Sequence, residues 1–264
     1  MKQTSAVFIG ILAFFLSSCG NIKDYPKVDY KYSENNFNYG DCDKGLAGCV
    51  QIKLKSVKIL NAPPAAKDSI GNRINDFILS PVVGEESYKT PEEIRDSLIA
   101  SFQEMKKEFP DMPLGYMLQR TVTVEADTLG VFSARFDNYY FLGGAHPNYF
   151  TSFINTDLSN GSNIKLSGIF NPGYENELNK IGESKFRAKR DLKPDEDLTE
   201  AGYWFDKGKF KMNDNFVITA EGISFFFNSY EIGPYALGTT EIMIDYSEIK
   251  DLIKKDGVLA RFIK

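Results

Sequence analysis

The sequence predicts an α+β fold: two adjoining subdomains of mostly antiparallel sheet, with helices packed on one face. Three observations predict it. Apolar residues alternate at period two in several short runs, first at Val50, Ile52 and Leu54. Other segments repeat them at helical spacing, as in Ile94, Leu98, Phe102, Met105 and Phe109. The aromatic content, 21 Phe and 14 Tyr in 264 residues, suits pleated sheet better than a helical bundle.

Residues 1–18 are read as a lipoprotein signal peptide. Lys2 supplies a positive start, and Ala6 to Leu16 is an apolar run too short to span a bilayer. Leu16-Ser17-Ser18-Cys19 resembles the bacterial lipobox, in which the Cys thiol accepts diacylglycerol. Cys19 is therefore the expected lipidation site and membrane the expected partner through it. Gly20, rather than Asp, follows the Cys, which points to the outer membrane of a Gram-negative envelope. Residues 19–49 are expected to form a tether with a Cys pair. Its polar, Tyr-rich run also fits an edge strand, because Asp29, Lys31 and Ser33 alternate with Tyr30 and Tyr32. Outside the cytoplasm, Cys42 and Cys49 are expected to pair as a disulfide.

Residues 50–160 are expected to form the N-terminal subdomain and 161–264 the C-terminal one. Val50 to Leu60 reads as a strand ended by Pro63 and Pro64, and Ala65 to Leu79 as a helix. Thr90-Pro91-Glu92-Glu93 is a helix start, with Thr at the N-cap, Pro at the first helical position and Glu placed for a capping box. Strands follow over 116–126, 130–142 and 148–158, with a return at 163–166 after the Asn160-Gly161 turn. A surface helix is expected over 174–190, ending in basic residues that complement its dipole. Residues 191–209 form an acidic loop containing Trp204. Strands at 215–227, broken by a turn at Glu221-Gly222, and at 240–245 precede a short helix over 247–254 capped by Ser247.

Composition excludes several functions. A net charge of −5 argues against nucleic acid as a partner. A single His rules out a multi-His metal centre, and neither a metal nor a cofactor is expected.

Two groups of motifs carry a family resemblance. One is Phe141-Leu142-Gly143-Gly144-Ala145-His146-Pro147-Asn148, with Thr156-Asp157-Leu158 and Asn160-Gly161. The other is Phe225-Phe226-Phe227, then 230–238 (YEIGPYALG), then Ile244-Asp245-Tyr246-Ser247. Over about residues 50–255 the sequence resembles a bacterial extracytoplasmic family of uncharacterised domains. That family includes the lysozyme-sensing region of the anti-sigma factor RsiV, and a related half occurs at the N-terminus of the peptidoglycan deacetylase PdaC. The resemblance implies two adjoining α+β subdomains and a role at the cell envelope.

The candidate binding surface is His146, Asn148, Tyr230, Glu231 and Tyr235, because aromatic rings beside a carboxylate anchor protein or glycan partners. No catalytic residue is assigned. His146 is the only imidazole, no G-x-S-x-G motif accompanies it, and Gly143-Gly144 before it suits a turn. Asp195, Glu196 and Asp197 read as a solvated charge run rather than a glycosidase pair. The expected function is a lipid-anchored, non-catalytic envelope binding protein. Its expected partner is a lysozyme-like protein or a cell-wall glycan such as a peptidoglycan fragment. The alternative is an envelope hydrolase acting on peptidoglycan or acetylated glycan through His146 and nearby acids.

Overall fold

The structure, a computed structural model, describes residues 25–111, 113 and 115–263. The signal peptide and the lipobox ending at Cys19 lie outside the described residues. The fold is α+β, with a five-stranded mixed sheet, a three-stranded antiparallel sheet and helices packed against both.

The first sheet has the order β1 (Asp29–Tyr39), β2 (Val50–Asn61), β3 (Tyr116–Thr128), β4 (Val131–Leu142), β5 (Asn148–Asp157). Residues 29–39, placed in the tether by sequence, are the edge strand that the Tyr alternation also allowed, antiparallel to β2 from Asn61 back to Val50. The Cys42–Cys49 disulfide closes the β1–β2 connection. A Cβ on Gly115 would meet the Leu46 carbonyl oxygen at 1.8 Å, so this loop packs directly on the backbone entering β3.

Strands β2 and β3 are parallel. A parallel pair needs a crossover, and α1 (Pro64–Ile78) and α2 (Pro91–Glu108) supply it. Thr90 caps α2 as expected, its hydroxyl accepting from Glu93 N at 3.2 Å. The Glu93 carboxylate reaches back to Lys89 N rather than to the cap residue. Ile70, Ile74, Ile94 and Leu98 pack on Ile52, Leu54, Leu118 and Val122, all at 1% exposure or less. Burying a side chain of this size contributes about 1.5–3 kcal/mol. Arg120 lies in the same core, 2% exposed, and donates to the carbonyls of Ile78, Ser80 and Pro81 beyond the last turn of α1. Burial lowers its guanidinium to about 10, so it stays charged at neutral pH and offsets the negative helix end.

The opposite face of β4 and β5 carries the second sheet, β6 (Phe216–Ile218), β7 (Gly222–Phe227) and β8 (Thr240–Asp245). Phe226 faces Phe153, ring centroids 6.2 Å apart, while Phe225 and Phe227 face the other way into a core with Phe186 and Phe210. Phe186 comes from the surface helix predicted over 174–190, observed as Glu175–Lys189. In sequence order this helix is α4, after a short α3 (Leu166–Ile169). The return expected at 163–166 is reduced to the single bridge Thr156–Asn163, because α3 begins at once. The last helix, α5 (Tyr246–Ile249), is shorter than expected and is capped by Asp245 with Glu248, not by Ser247.

Three asparagines join the halves. β5 ends its sheet and β6 begins its own, and β5 has backbone partners on its outer edge only over 155–157, from the 162–164 segment. Asn155 Nδ2 donates to the Phe216 carbonyl at 2.8 Å, and its Oδ1 accepts from Ile218 N at 2.8 Å. Asn228 does the reverse: its Oδ1 accepts from Thr151 N at 2.7 Å and its Nδ2 donates to the Thr151 carbonyl at 3.0 Å. Asn215 Nδ2 also donates to the Thr151 carbonyl at 2.9 Å, so the first half lends one side-chain amide to β6 and the second lends two to β5.

Candidate functional site

The loop from Asn228 to β8 begins at this staple. Glu231 stabilises the bend from within, Oε2 accepting from Asn228 N at 2.8 Å and Oε1 from Asn213 Nδ2 at 2.6 Å. Tyr230 adopts φ +67°, a conformation that costs about 1–2 kcal/mol for a side chain of this kind, and stands 50% exposed. The loop between β4 and β5 meets it. Of its paired glycines, Gly143 takes positive φ (80°), which turns the backbone toward His146.

The two loops bring three rings together across more than eighty residues of sequence. His146 stacks on Tyr235, centroids 4.2 Å apart and planes 19° from parallel. Tyr230 lies 5.6 Å from Tyr235 and 6.1 Å from His146. Both imidazole nitrogens are engaged: Nδ1 lies 2.9 Å from the Pro147 carbonyl and Nε2 3.1 Å from the Tyr230 hydroxyl. A carbonyl only accepts, so Nδ1–H donates to Pro147, and Nε2 shares the second bond with the Tyr230 hydroxyl. A histidine acting as a base is oriented by a partner such as a carboxylate. Here a backbone carbonyl occupies that position.

Three of the five expected surface residues therefore form one cluster. Glu231 turns into the loop as a clamp, and Asn148 is exposed at the start of β5, paired with Tyr140, outside the rings. The sequence reading passed over Trp204. Its amide donates to the Ile232 carbonyl at 3.0 Å, beside the ring loop, and its side chain is 57% exposed. Tyr203 and Phe205 on either side are buried at 4% and 9%, while the indole between them stays at the surface; no periodic pattern in this loop marks it.

Below the loops, Arg135 donates to Asp137 at 2.9 Å and to the Tyr149 hydroxyl at 3.0 Å, and lies over the Phe226 ring. Partial burial lowers its pKa, but the bonds to Asp137 and Tyr149 outweigh that and hold it above the ordinary arginine value. Thr151 bonds the same Asp137, which ties this network to the Asn228 staple. The acidic loop closes on itself: Asp197 accepts from Thr199 N and Glu200 N, bonds that lower its pKa, and Arg187 donates to the carbonyls of Lys193 and Glu196. Among the described residues, no group of three or more His, Cys, Asp or Glu is placed to hold a metal.

Comparison with known proteins finds two successive matches along the sequence. Residues 47–149 match the family described as deacetylase PdaC, and 167–247 match the protein of unknown function family DUF3298. A curated relative, the peptidoglycan-N-acetylmuramic acid deacetylase PdaC of Bacillus subtilis, is 27% identical over 125 residues. Those residues are 47% of this chain and 26% of that protein, so the match spans about a quarter of the relative's length. Two crystal structures share the fold. A DUF3298 family member from Bacteroides fragilis has a TM-score of 0.70 at 22% identity, covering 91% of this chain and 99% of that one. A DUF3298 family protein from Pseudomonas aeruginosa has a TM-score of 0.55 at 19% identity, covering 88% and 95%. The ring cluster takes His146 from one matched segment and Tyr230 and Tyr235 from the other. This protein thus has a DUF3298 domain behind a PdaC-like N-terminal region.

Proposed function

We propose that this protein is a lipid-anchored, non-catalytic binding protein of the bacterial cell envelope. In this reading the His146–Tyr235–Tyr230 face recognises a lysozyme-like protein or a cell-wall glycan. The observation that carries the reading is the ring cluster itself, with Tyr230 exposed over the half-buried His146 and Tyr235 and the histidine engaged by a carbonyl and a phenol. Exposed aromatics held in place lose little entropy on binding, which is why Tyr and Trp dominate binding hot spots. Trp204 extends the surface, and the net charge of −5 favours encounter with a basic partner. The envelope location is supported by the Leu16–Cys19 pattern and by the peptidoglycan chemistry named for the curated relative. Among the described residues, no helix is long and apolar enough to cross a membrane, so Cys19 is the proposed attachment, in a Gram-negative outer membrane.

Calorimetry of the full-length protein against a basic lysozyme and against soluble muropeptides tests the proposal. One of the two is expected to bind, and Tyr230→Ser to weaken it at least about tenfold, the usual size of a hot-spot truncation. Absence of binding to both overturns the reading. Turnover of muropeptides or acetylated glycans that disappears in His146→Ala would replace it with the hydrolase.

A further inference from the structure

A groove of about 550 Å³ lies between α1 and the β1–β2 edge of the five-stranded sheet. It reaches the end of β2, whereas the ring cluster lies beyond the opposite end of β4, so the two are separate sites.

Its lining is unusual for this acidic protein. Lys58, Lys67 and Lys89 face a single carboxylate, Asp68. Lys67 Nζ is tied to the Leu60 carbonyl at 3.0 Å, which holds one ammonium at the rim. Three amides, Asn35, Asn72 and Asn75, and two hydroxyls, Ser33 and Ser56, share the walls. Each amide offers a donor and an acceptor side by side, the pairing that neighbouring sugar hydroxyls satisfy. Apolar atoms of Val57, Ile59, Ile78, Leu79 and Pro91 share the lining with Gly71.

Gly71 supplies an independent observation. It sits in the middle of α1, where glycine is the least favourable residue after proline. Its φ is not positive, and a Cβ built on it would meet nothing within 4 Å. Neither backbone conformation nor a packed neighbour requires a glycine here. What its missing side chain provides is depth in the groove.

We infer that this groove binds an acidic oligosaccharide, with the lysines receiving its carboxylates and the asparagines and serines its hydroxyls. The lining contains no aromatic ring to stack a nucleobase and no arginine to fork a phosphate, which sets it apart from a nucleotide site.

The test is calorimetry of the full-length protein with tetragalacturonate, with neutral cellotetraose and hexaglutamate as controls. Tetragalacturonate is expected to bind at least tenfold more tightly than either control and to weaken as salt is added. Lys58→Gln with Lys89→Gln is expected to lose at least tenfold. Gly71→Leu is expected to abolish binding without lowering the melting temperature, because leucine favours the helix while filling the groove. Equal binding of cellotetraose overturns the role of the lysines, and equal binding of hexaglutamate overturns the assignment to a sugar. Intact binding in Gly71→Leu overturns the location. The ring cluster is read with different probes, so failure at one site does not imply failure at the other.

Discussion

Replacing Asn155 by alanine tests how the two halves are held together. Asn155 is 3% exposed and makes three bonds: Nδ2 to the Phe216 carbonyl, and Oδ1 from Ile218 N and from the Ser133 hydroxyl. Alanine strands a backbone N–H and a backbone carbonyl at a buried sheet edge, and each such orphan costs about 1–3 kcal/mol. Allowing for partial rescue by water, the expected loss is about 2–4 kcal/mol. Asn228→Ala is expected to cost less, about 1–3 kcal/mol, because the Thr151 carbonyl keeps a second donor, Asn215 Nδ2 at 2.9 Å, and only Thr151 N is orphaned. Asn155→Asp separates hydrogen bonding from volume. Its carboxylate still accepts from Ile218 N but cannot donate to Phe216, and burial raises its pKa in the folded state. The folded protein then binds more protons than the unfolded one between the ordinary and the raised values. Stability of Asn155→Asp should therefore rise as pH falls through that window, where the protonated acid donates again. Urea unfolding followed by circular dichroism and by Trp204 fluorescence, at pH 7 and in steps toward pH 4, measures all three variants. A loss below about 0.5 kcal/mol for Asn155→Ala, the level of an ordinary surface change, would refute the edge-staple argument.

Three further outcomes are expected. Arg120→Met keeps the buried stem but leaves the carbonyls of Ile78, Ser80 and Pro81 without their donor, and chemical denaturation should show a loss of about 2–4 kcal/mol. Tyr230→Asn removes a ring from the proposed recognition face while tolerating its φ of +67°; stability should stay within about 0.5 kcal/mol, while binding of whichever proposed ligand is found falls at least about tenfold. Burial raises the Asp127 carboxyl above its ordinary value, against the lowering effect of Val28 N–H, so its charged form is disfavoured in the folded state. Its contribution to stability should thus fall as pH rises through that window. Melting curves of Asp127→Asn should match the parent at acid pH and lie above it at pH 7.

Local chemistry made the elements legible, and long-range pairing made the rest illegible. Val50, Ile52 and Leu54 announce their strand because every second residue is buried to 1%. Residues 29–39 announce theirs weakly, because an edge strand exposes polar residues such as Glu34, Asn36 and Asn38, and only Tyr30, Asn35 and Phe37 are partly covered. The pairing partner that makes it a strand lies in β2, which composition within the segment cannot reveal. At the last helix the signal was present but misplaced: Asp245 and Glu248 have the spacing of a capping box, while the strand pattern running up to Asp245 drew the boundary to Ser247. The candidate site divides the same way. Motif reading found His146, Tyr230 and Tyr235 separately, but their stacking depends on the Asn228–Thr151 staple between sheets. That staple also explains the bonds of Glu231, whose carboxylate holds Asn228 N from an exposed position.

Strand direction gives the molecule a polarity that bears on the proposed anchoring. Tyr25, the first described residue, lies under the Arg261 guanidinium, 5.2 Å from it, and Val28 N is held by Asp127. These contacts place the N-terminal entry beside the β3–β4 turn at Gly130, where β4 starts and β5 ends. The ring cluster is at the other end of β4, twelve residues away. At about 3.3 Å per residue the two ends are roughly 40 Å apart. The disulfide loop lies at the same far end, since Cys49 precedes β2 and its carbonyl accepts from Tyr116 N. A lipid at Cys19 would be joined to the entry end by only a few residues. Under that proposal the tethered end is the entry end, and His146, Tyr230, Tyr235 and Trp204 lie at the end of the sheet away from it.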